Sequence, residues 1–224
     1  MTRPPTGRPG IMVNGFDPAR TDTLPERTRR LVERRARALG PAYRLFYSEP
    51  VEFVRAEGVY LYDRDDNAYL DAYNNVPSVG HCHPHVVAAI AAQAATLNTH
   101  TRYASEALVA YAERLLATLP EPVDRVMFTC SGSEAVDLAL RVAAAATGHT
   151  GIIVTANAYH GTTARAAEIS PSLGDGVPLG AHVRTVAPPR SGDRDPGESF
   201  GAAVAAAAAD LKRHGFGVSC LLVD

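Results

Sequence analysis

The residues best placed to do chemistry lie where strand-like runs give way to small and polar side chains. Phe128-Thr129-Cys130-Ser131-Gly132-Ser133-Glu134-Ala135 passes from an apolar run, through a small-residue turn, into a long helical pattern. The N–H groups of a helix's first turn have no intrahelical acceptor, and the positive end of the helix dipole sits there, so such a turn can cradle an anion. Gly132 admits close backbone approach, and the hydroxyls of Ser131 and Ser133 add donors. The same residues also make a sound helix start, with Ser131 as N-cap and Glu134 three residues on. Local sequence leaves cradle and cap both open. The run is neither GxSxG nor a Walker loop, which argues against a serine hydrolase or a P-loop NTPase.

A second segment, Ala158-Tyr159-His160-Gly161-Thr162-Thr163, directly follows a β-like run at 151–156. In a parallel sheet it emerges on the same edge as the Ser131 turn, where an aromatic ring can stack on a planar ligand. Tyr159 could equally be there only to pack its loop. A third segment, Asn74-Asn75-Val76-Pro77-Ser78-Val79-Gly80-His81-Cys82-His83-Pro84-His85, invites a metal reading. Ligands this closely spaced need partners elsewhere, and no carboxylate or second Cys cluster supplies them, so no metal site is expected. Gly174-Asp175-Gly176 follows no strand and lacks the third glycine of a dinucleotide fingerprint, and reads as a turn.

The elements that must position these residues fall into two textures. Residues 1–24 read as a flexible leader. A helical pattern covers 25–39 and ends at Gly40-Pro41. Three short β-like runs at 51–55, 59–62 and 68–72, the last two separated by Asp63-Arg64-Asp65-Asp66-Asn67, predict a small antiparallel meander. Helical patterns follow at 84–97 and 105–119. Then strands at 125–129, 151–156, 182–186 and 218–223 alternate with helices at 134–146, 164–168 and 200–214, which predicts a parallel sheet covered on both faces. The organisation expected is a leader (1–24), a small-domain segment (25–80) and the first part of a large domain (81–224). The run at 218–223 reads as a core strand, and ligand sites lie beyond the ends of such strands. A chain cut short within its fold is therefore the expectation.

Composition narrows the function classes. The 224 residues carry a net charge of −2, 46% hydrophobic and 21% charged residues, ordinary for a globular protein and without the basic excess of a nucleic-acid binder. No apolar run approaches the ~20 residues that span a bilayer, and the first ten residues lack the apolar core of a secretory signal. Three scattered cysteines, with no CxxC pair, suit a reducing, cytoplasmic setting.

Taken in order, these segments resemble the class III aminotransferases, a branch of the fold-type I pyridoxal-phosphate enzymes. The resemblance runs over residues 45–224. It is carried by Tyr60-Leu61-Tyr62-Asp63, Tyr69-Leu70-Asp71, Val79-Gly80-His81-Cys82-His83-Pro84, Ser131-Gly132-Ser133-Glu134-Ala135, Thr147-Gly148 and Tyr159-His160-Gly161. The run Asn74-Asn75-Val76 is especially similar to a subgroup containing phosphoethanolamine phospho-lyase and alanine–glyoxylate-type aminotransferases.

The resemblance implies an α/β, three-layer α/β/α pyridoxal-phosphate-transferase domain with a mostly parallel, incomplete sheet, preceded by a small N-terminal helix and the antiparallel meander. It implies pyridoxal 5'-phosphate as cofactor, with Ser131, Gly132 and Ser133 on the phosphate, Tyr159 stacked on the pyridine ring and His160 towards the substrate. Asp224 would fall near the ring. Residues 74–83 would lie near a homodimer interface. The reaction implied is amino-group transfer from a small amino donor to a 2-oxo acid or aldehyde, with a phospho-lyase or an inactive remnant as alternatives. The family's Schiff-base lysine and its pyridinium-binding Asp have no counterpart in this chain. Lys212, the only lysine, sits on the polar face of its helix beside Arg213 and reads as a solvated cation.

Overall fold

The computed structural model describes residues 15–41, 43–73, 77–190, 192 and 195–224. The described residues divide into two compact units, one running up to residue 113 and the other from 114 to 224. The motif residues Asn74, Asn75 and Val76 lie outside the described residues.

In the first unit a 3₁₀ turn (Pro18–Thr23) leads into helix α1 (Glu26–Leu39). The helix ends at Gly40, whose φ of 70° closes the last turn with an N–H to the Ala36 carbonyl. Its inner face is short: Val32 packs with Phe16 and Leu24, two residues within the stretch expected to be a leader, and with Leu45. Arg27, Arg30 and Arg34 stay exposed.

The meander forms as predicted, with β1 (Phe53–Glu57), β2 (Tyr60–Asp63) and β3 (Ala68–Leu70) paired antiparallel. Its second turn is closed by one carboxylate, as Asp63 Oδ1 accepts from the N–H groups of Asp65 and Asn67, both at 2.9 Å. These bonds, with the Asn67 amide first, hold the Asp63 carboxyl below the usual range. Helix α2 (Pro84–Thr96) follows, with Pro84 in its first turn where a missing N–H costs nothing. The unit boundary falls within α3 (Glu106–Leu116).

The second unit holds helix α4 (Gly132–Thr147), strand β4 (Ile152–Thr155), the short helix α5 (Ala164–Ala167), strand β5 (Val183–Val186), helix α6 (Pro196–Arg213) and strand β6 (Cys220–Leu222). The strands are parallel in the order β5-β4-β6, with β4 central. All four residues of β4 are buried, as a strand covered on both faces must be. Ile152 and Val154 pack with Leu140 of α4, and with Ile169 and Val183. Ile153 faces the other way, onto Val186 and Leu211 and the small side chains of α6. Helices thus cover both faces of the sheet, giving the three layers expected.

One predicted strand does not form. Residues 125–129 belong to neither sheet. Met127 and Phe128 are exposed, at 68% and 41%. A β-strand is defined by pairing rather than by local preference, so apolar residues alone did not make one here.

Candidate functional site

The site is built from the carboxyl ends of β4 and β6 and the amino end of α4. Ser131 is the N-cap of α4, with extended backbone (φ −153°, ψ 160°), and its Oγ accepts from the Glu134 N–H at 3.2 Å. Glu134 reaches back one residue further than in the usual capping box, its carboxylate accepting from the Cys130 N–H at 2.8 Å. The cap reading of this turn is therefore realised. It does not use up the turn, because among the described residues the N–H groups of Gly132 and Ser133 donate no hydrogen bond. They are the first-turn donors that a helix leaves over.

Gly132 carries a further sign. Its φ lies outside the left-handed region, and a Cβ built there meets none of the described residues within 4 Å. Neither backbone conformation nor protein packing requires glycine at this position. Open space over two unused N–H groups at the positive end of a sixteen-residue helix suits an anion.

The loop after β4 is seated on this turn. Gly161 has φ +132°, and a Cβ there would lie 2.5 Å from Ser133 Oγ and 2.9 Å from its Cα, so only glycine lets the loop approach. The Thr162 N–H donates to Ser133 Oγ at 3.1 Å, and Thr163 Oγ1 donates to the Ser133 carbonyl at 3.4 Å. Among the described residues, Ser133 Oγ donates no hydrogen bond, so its proton can be donated onward.

Two more anchors hold the same loop. The His160 N–H donates to Ser170 Oγ at 2.9 Å, and that hydroxyl donates to the Ala166 carbonyl at 2.6 Å. The Tyr159 N–H donates to Asp224 Oδ2 at 3.0 Å. Asp224 is tied in turn to β4, its N–H donating to Thr155 Oγ1 at 3.2 Å. Tyr159, His160 and Thr162 are thus fixed by three separate segments of the chain, while Tyr159 stays 52% exposed.

His160 is the electrostatically perturbed member. Burial pushes its imidazole below the ordinary histidine range, and the Asp224 charge opposes that shift. Its Nε2 is buried without a hydrogen-bond partner among the described residues. Both observations favour the uncharged form of the ring.

All five residues singled out from sequence, Ser131, Gly132, Ser133, Tyr159 and His160, therefore belong to elements linked by these hydrogen bonds. Sequence reasoning missed the anchors: Thr155 and Ser170 carry no motif, and the close contact of Gly161 shows only in three dimensions. The His-rich segment does something else. His81 Nε2 lies 2.9 Å from Asp71 Oδ2, and that hydrogen bond is the first cause holding the Asp71 carboxyl below its usual range. His81 also exchanges backbone hydrogen bonds with Gly58. Among the described residues, no three His, Cys, Asp or Glu side chains converge as metal ligands would.

Known proteins resemble this chain over much of its length. The alanine–glyoxylate aminotransferase 2-like protein of Drosophila melanogaster is 44% identical over 141 residues, 62% of this chain and 28% of that protein. The ethanolamine-phosphate phospho-lyase homolog 1 of Caenorhabditis elegans is 46% identical over 142 residues, 63% of this chain and 30% of that one. Among solved structures, a phospholyase from Arthrobacter in complex with phosphoethanolamine superposes with a TM-score of 0.81 at 46% identity, covering 87% of this chain and 47% of that one. The taurine:2-oxoglutarate aminotransferase of Bifidobacterium kashiwanohense, solved with PLP and glutamate, shares the fold at 20% identity and a TM-score of 0.71, over 88% of this chain and 48% of its own. The chain thus spans under a third of these curated relatives and about half of these solved chains. The class-III aminotransferase family model matches residues 46–184. The fold is that of the pyridoxal-phosphate transferases, and pyridoxal 5'-phosphate is the cofactor of the family. The chain belongs to the class III aminotransferases.

Proposed function

We propose that this chain supplies the phosphate-and-ring side of a pyridoxal-phosphate site in an enzyme acting on the amino group of a small substrate. The observation that carries the reading is the turn at the start of α4. Among the described residues, the N–H groups of Gly132 and Ser133 donate no hydrogen bond, and none lies within 4 Å of where a Cβ at Gly132 would stand. In this reading those N–H groups and the Ser133 hydroxyl hold the phosphate, with Ser131 fixing the turn that presents them. Tyr159 offers its exposed ring as a stacking platform. His160 beside it, its imidazole held below the ordinary range by burial, orients polar groups of the substrate. When bound, the cofactor supplies the electron sink. The residues present bind it, orient it and keep the turn in place.

Lys212 is not the lysine that joins the cofactor in this reading. It is exposed in the last turn of α6 next to Arg213, whereas its other neighbour, Leu211, is the residue that enters the core. The reading assigns that amine to a lysine outside these 224 residues, and takes the assembled enzyme to be a homodimer. It places the enzyme in the cytoplasm, on the scattered unpaired cysteines. Among the described residues, no helix is long and apolar enough to cross a membrane.

Amino-group transfer to a 2-oxo acid or aldehyde is the first reaction proposed, supported by the family and by the alanine–glyoxylate aminotransferase 2-like relative. A specific observation favours a second reading, elimination of phosphate from an amino-alcohol phosphate. The Arthrobacter phospholyase is 46% identical with a TM-score of 0.81, against 20% and 0.71 for the taurine aminotransferase. Phosphate released from phosphoethanolamine without transfer to an oxo acid would decide for elimination. The cradle is tested separately. Ser133→Ala combined with Gly132→Val should weaken pyridoxal 5'-phosphate binding by about tenfold or more, as lost charge-assisted hydrogen bonds do. An unchanged titration would remove the cradle.

A further inference from the structure

Tyr159 poses a positioning problem. A stacking platform must be held to a fraction of an ångström, yet Tyr159 is 52% exposed. Its backbone is where the structure shows it held. The loop has three side-chain acceptors for its N–H groups, and only one of them, Asp224 Oδ2 at 3.0 Å, binds Tyr159 itself.

Asp224 is in turn built into the sheet. It follows β6 by two residues, and its backbone N–H donates to Thr155 Oγ1 at 3.2 Å. Thr155 is the last residue of β4 and only 1% exposed. Its hydroxyl lies 3.5 Å from the Asp224 carbonyl as well, so one buried side chain faces both polar ends of the Asp224 backbone. The chain of contacts runs from a buried strand residue, through Asp224, to the Tyr159 N–H. An acceptor carrying full charge makes that last bond stronger than a neutral one would.

We propose that Asp224 is a positioning residue: its carboxylate, locked to the sheet through Thr155, sets the Tyr159 ring where a planar, phosphorylated pyridine would stack. The ligand in this statement rests on the cofactor reading above; the clamp itself does not. Asp224 touches no reacting atom in this arrangement and acts through Tyr159.

The test uses the 224-residue chain and two readouts. Amide hydrogen exchange followed by mass spectrometry reports the clamp without any ligand. Asp224→Ala should speed exchange in peptides over residues 156–163 about tenfold, with peptides over 132–140 unchanged. Asp224→Asn keeps an acceptor in the same place and should stay within about threefold of the parent chain. Thr155→Val, which removes the hydroxyl and keeps the shape, should show a weaker form of the Ala effect.

Equilibrium binding then uses pyridoxamine 5'-phosphate, which cannot bond to Lys212 through an aldehyde, beside inorganic phosphate. Asp224→Ala should weaken the pyridoxamine 5'-phosphate complex about two- to fivefold, a part of what the Tyr159 ring contributes, while leaving inorganic phosphate unaltered, and Asn should restore it. Unchanged exchange at 156–163 in Asp224→Ala overturns the proposal. Faster exchange with unaltered pyridoxamine 5'-phosphate binding overturns it too, because the clamp would then position nothing. A parent chain that binds neither probe overturns the cofactor reading, whereas accelerated exchange confined to 156–163 would still establish the clamp.

Discussion

Gly161→Ala puts the seating of the Tyr159 loop under direct strain. The residue has φ +132°, a region closed to L-amino acids, and holding alanine there costs about 1–3 kcal/mol. The new Cβ would also lie 2.5 Å from Ser133 Oγ, 2.8 Å from its Cβ and 2.9 Å from its Cα. The hydroxyl could rotate away. The Cα and Cβ belong to the first turn of α4, so either the helix or the loop must move, which adds about 1–3 kcal/mol of overpacking. The sum, about 2–6 kcal/mol, is a large share of the roughly 5–15 kcal/mol that stabilises a domain. With a urea slope of about 2 kcal/mol/M, the unfolding midpoint should fall by roughly 1–3 M. Gly174→Ala is the matched control, with φ +77° but nothing within 4 Å of the added carbon. It should cost only the backbone strain, about 1 kcal/mol. Urea unfolding followed by circular dichroism compares the two. If Gly161→Ala lowers the midpoint no more than Gly174→Ala does, the claim that this loop rests against α4 fails.

Two further outcomes follow from the same site. Tyr159→Ala should leave stability within about 0.5 kcal/mol, because the ring is half exposed. It should weaken cofactor binding by about 0.5–1.5 kcal/mol, with Tyr159→Phe retaining most of the affinity; an equal loss in Phe would transfer the effect from the ring to the hydroxyl. His160, held below the ordinary value of about 6.5 by burial, binds fewer protons folded than unfolded between its lowered value and that value. Its contribution to stability is therefore fully present above the unfolded value and is lost as pH falls through the folded one. Titration of the His160 ring by NMR should show the lowered midpoint, and Asp224→Asn should lower it further by removing the opposing charge. A midpoint that rises in Asp224→Asn would reverse the assigned cause.

The secondary structure was largely legible because its signals are local. Gly40 ended α1, Pro84 opened α2, and the polar run 63–67 turned the meander, each through a backbone property of the residue itself. Alternation of strands and helices was enough to foresee a parallel sheet between helices. The failure at 125–129 has the opposite origin, since a strand exists only when another strand pairs with it and no residue within the segment encodes that partner. The same limit applied to the site.

Sequence by itself determined which residues could hold a phosphate or a ring: a small-residue turn before a long helix, and an aromatic after a core strand. It also set the polarity of that helix, because direction and capping are written in consecutive residues. Only the tertiary structure decided what those residues are free to do. It showed Ser131 engaged as a cap, the N–H groups of Gly132 and Ser133 left over, and Gly161 pressed on Ser133. It also tied Tyr159 to Asp224, sixty-five positions away, through a carboxylate braced on Thr155. Hydrogen bonds between distant segments depend on how strands and helices pack, and packing is a property of the whole unit.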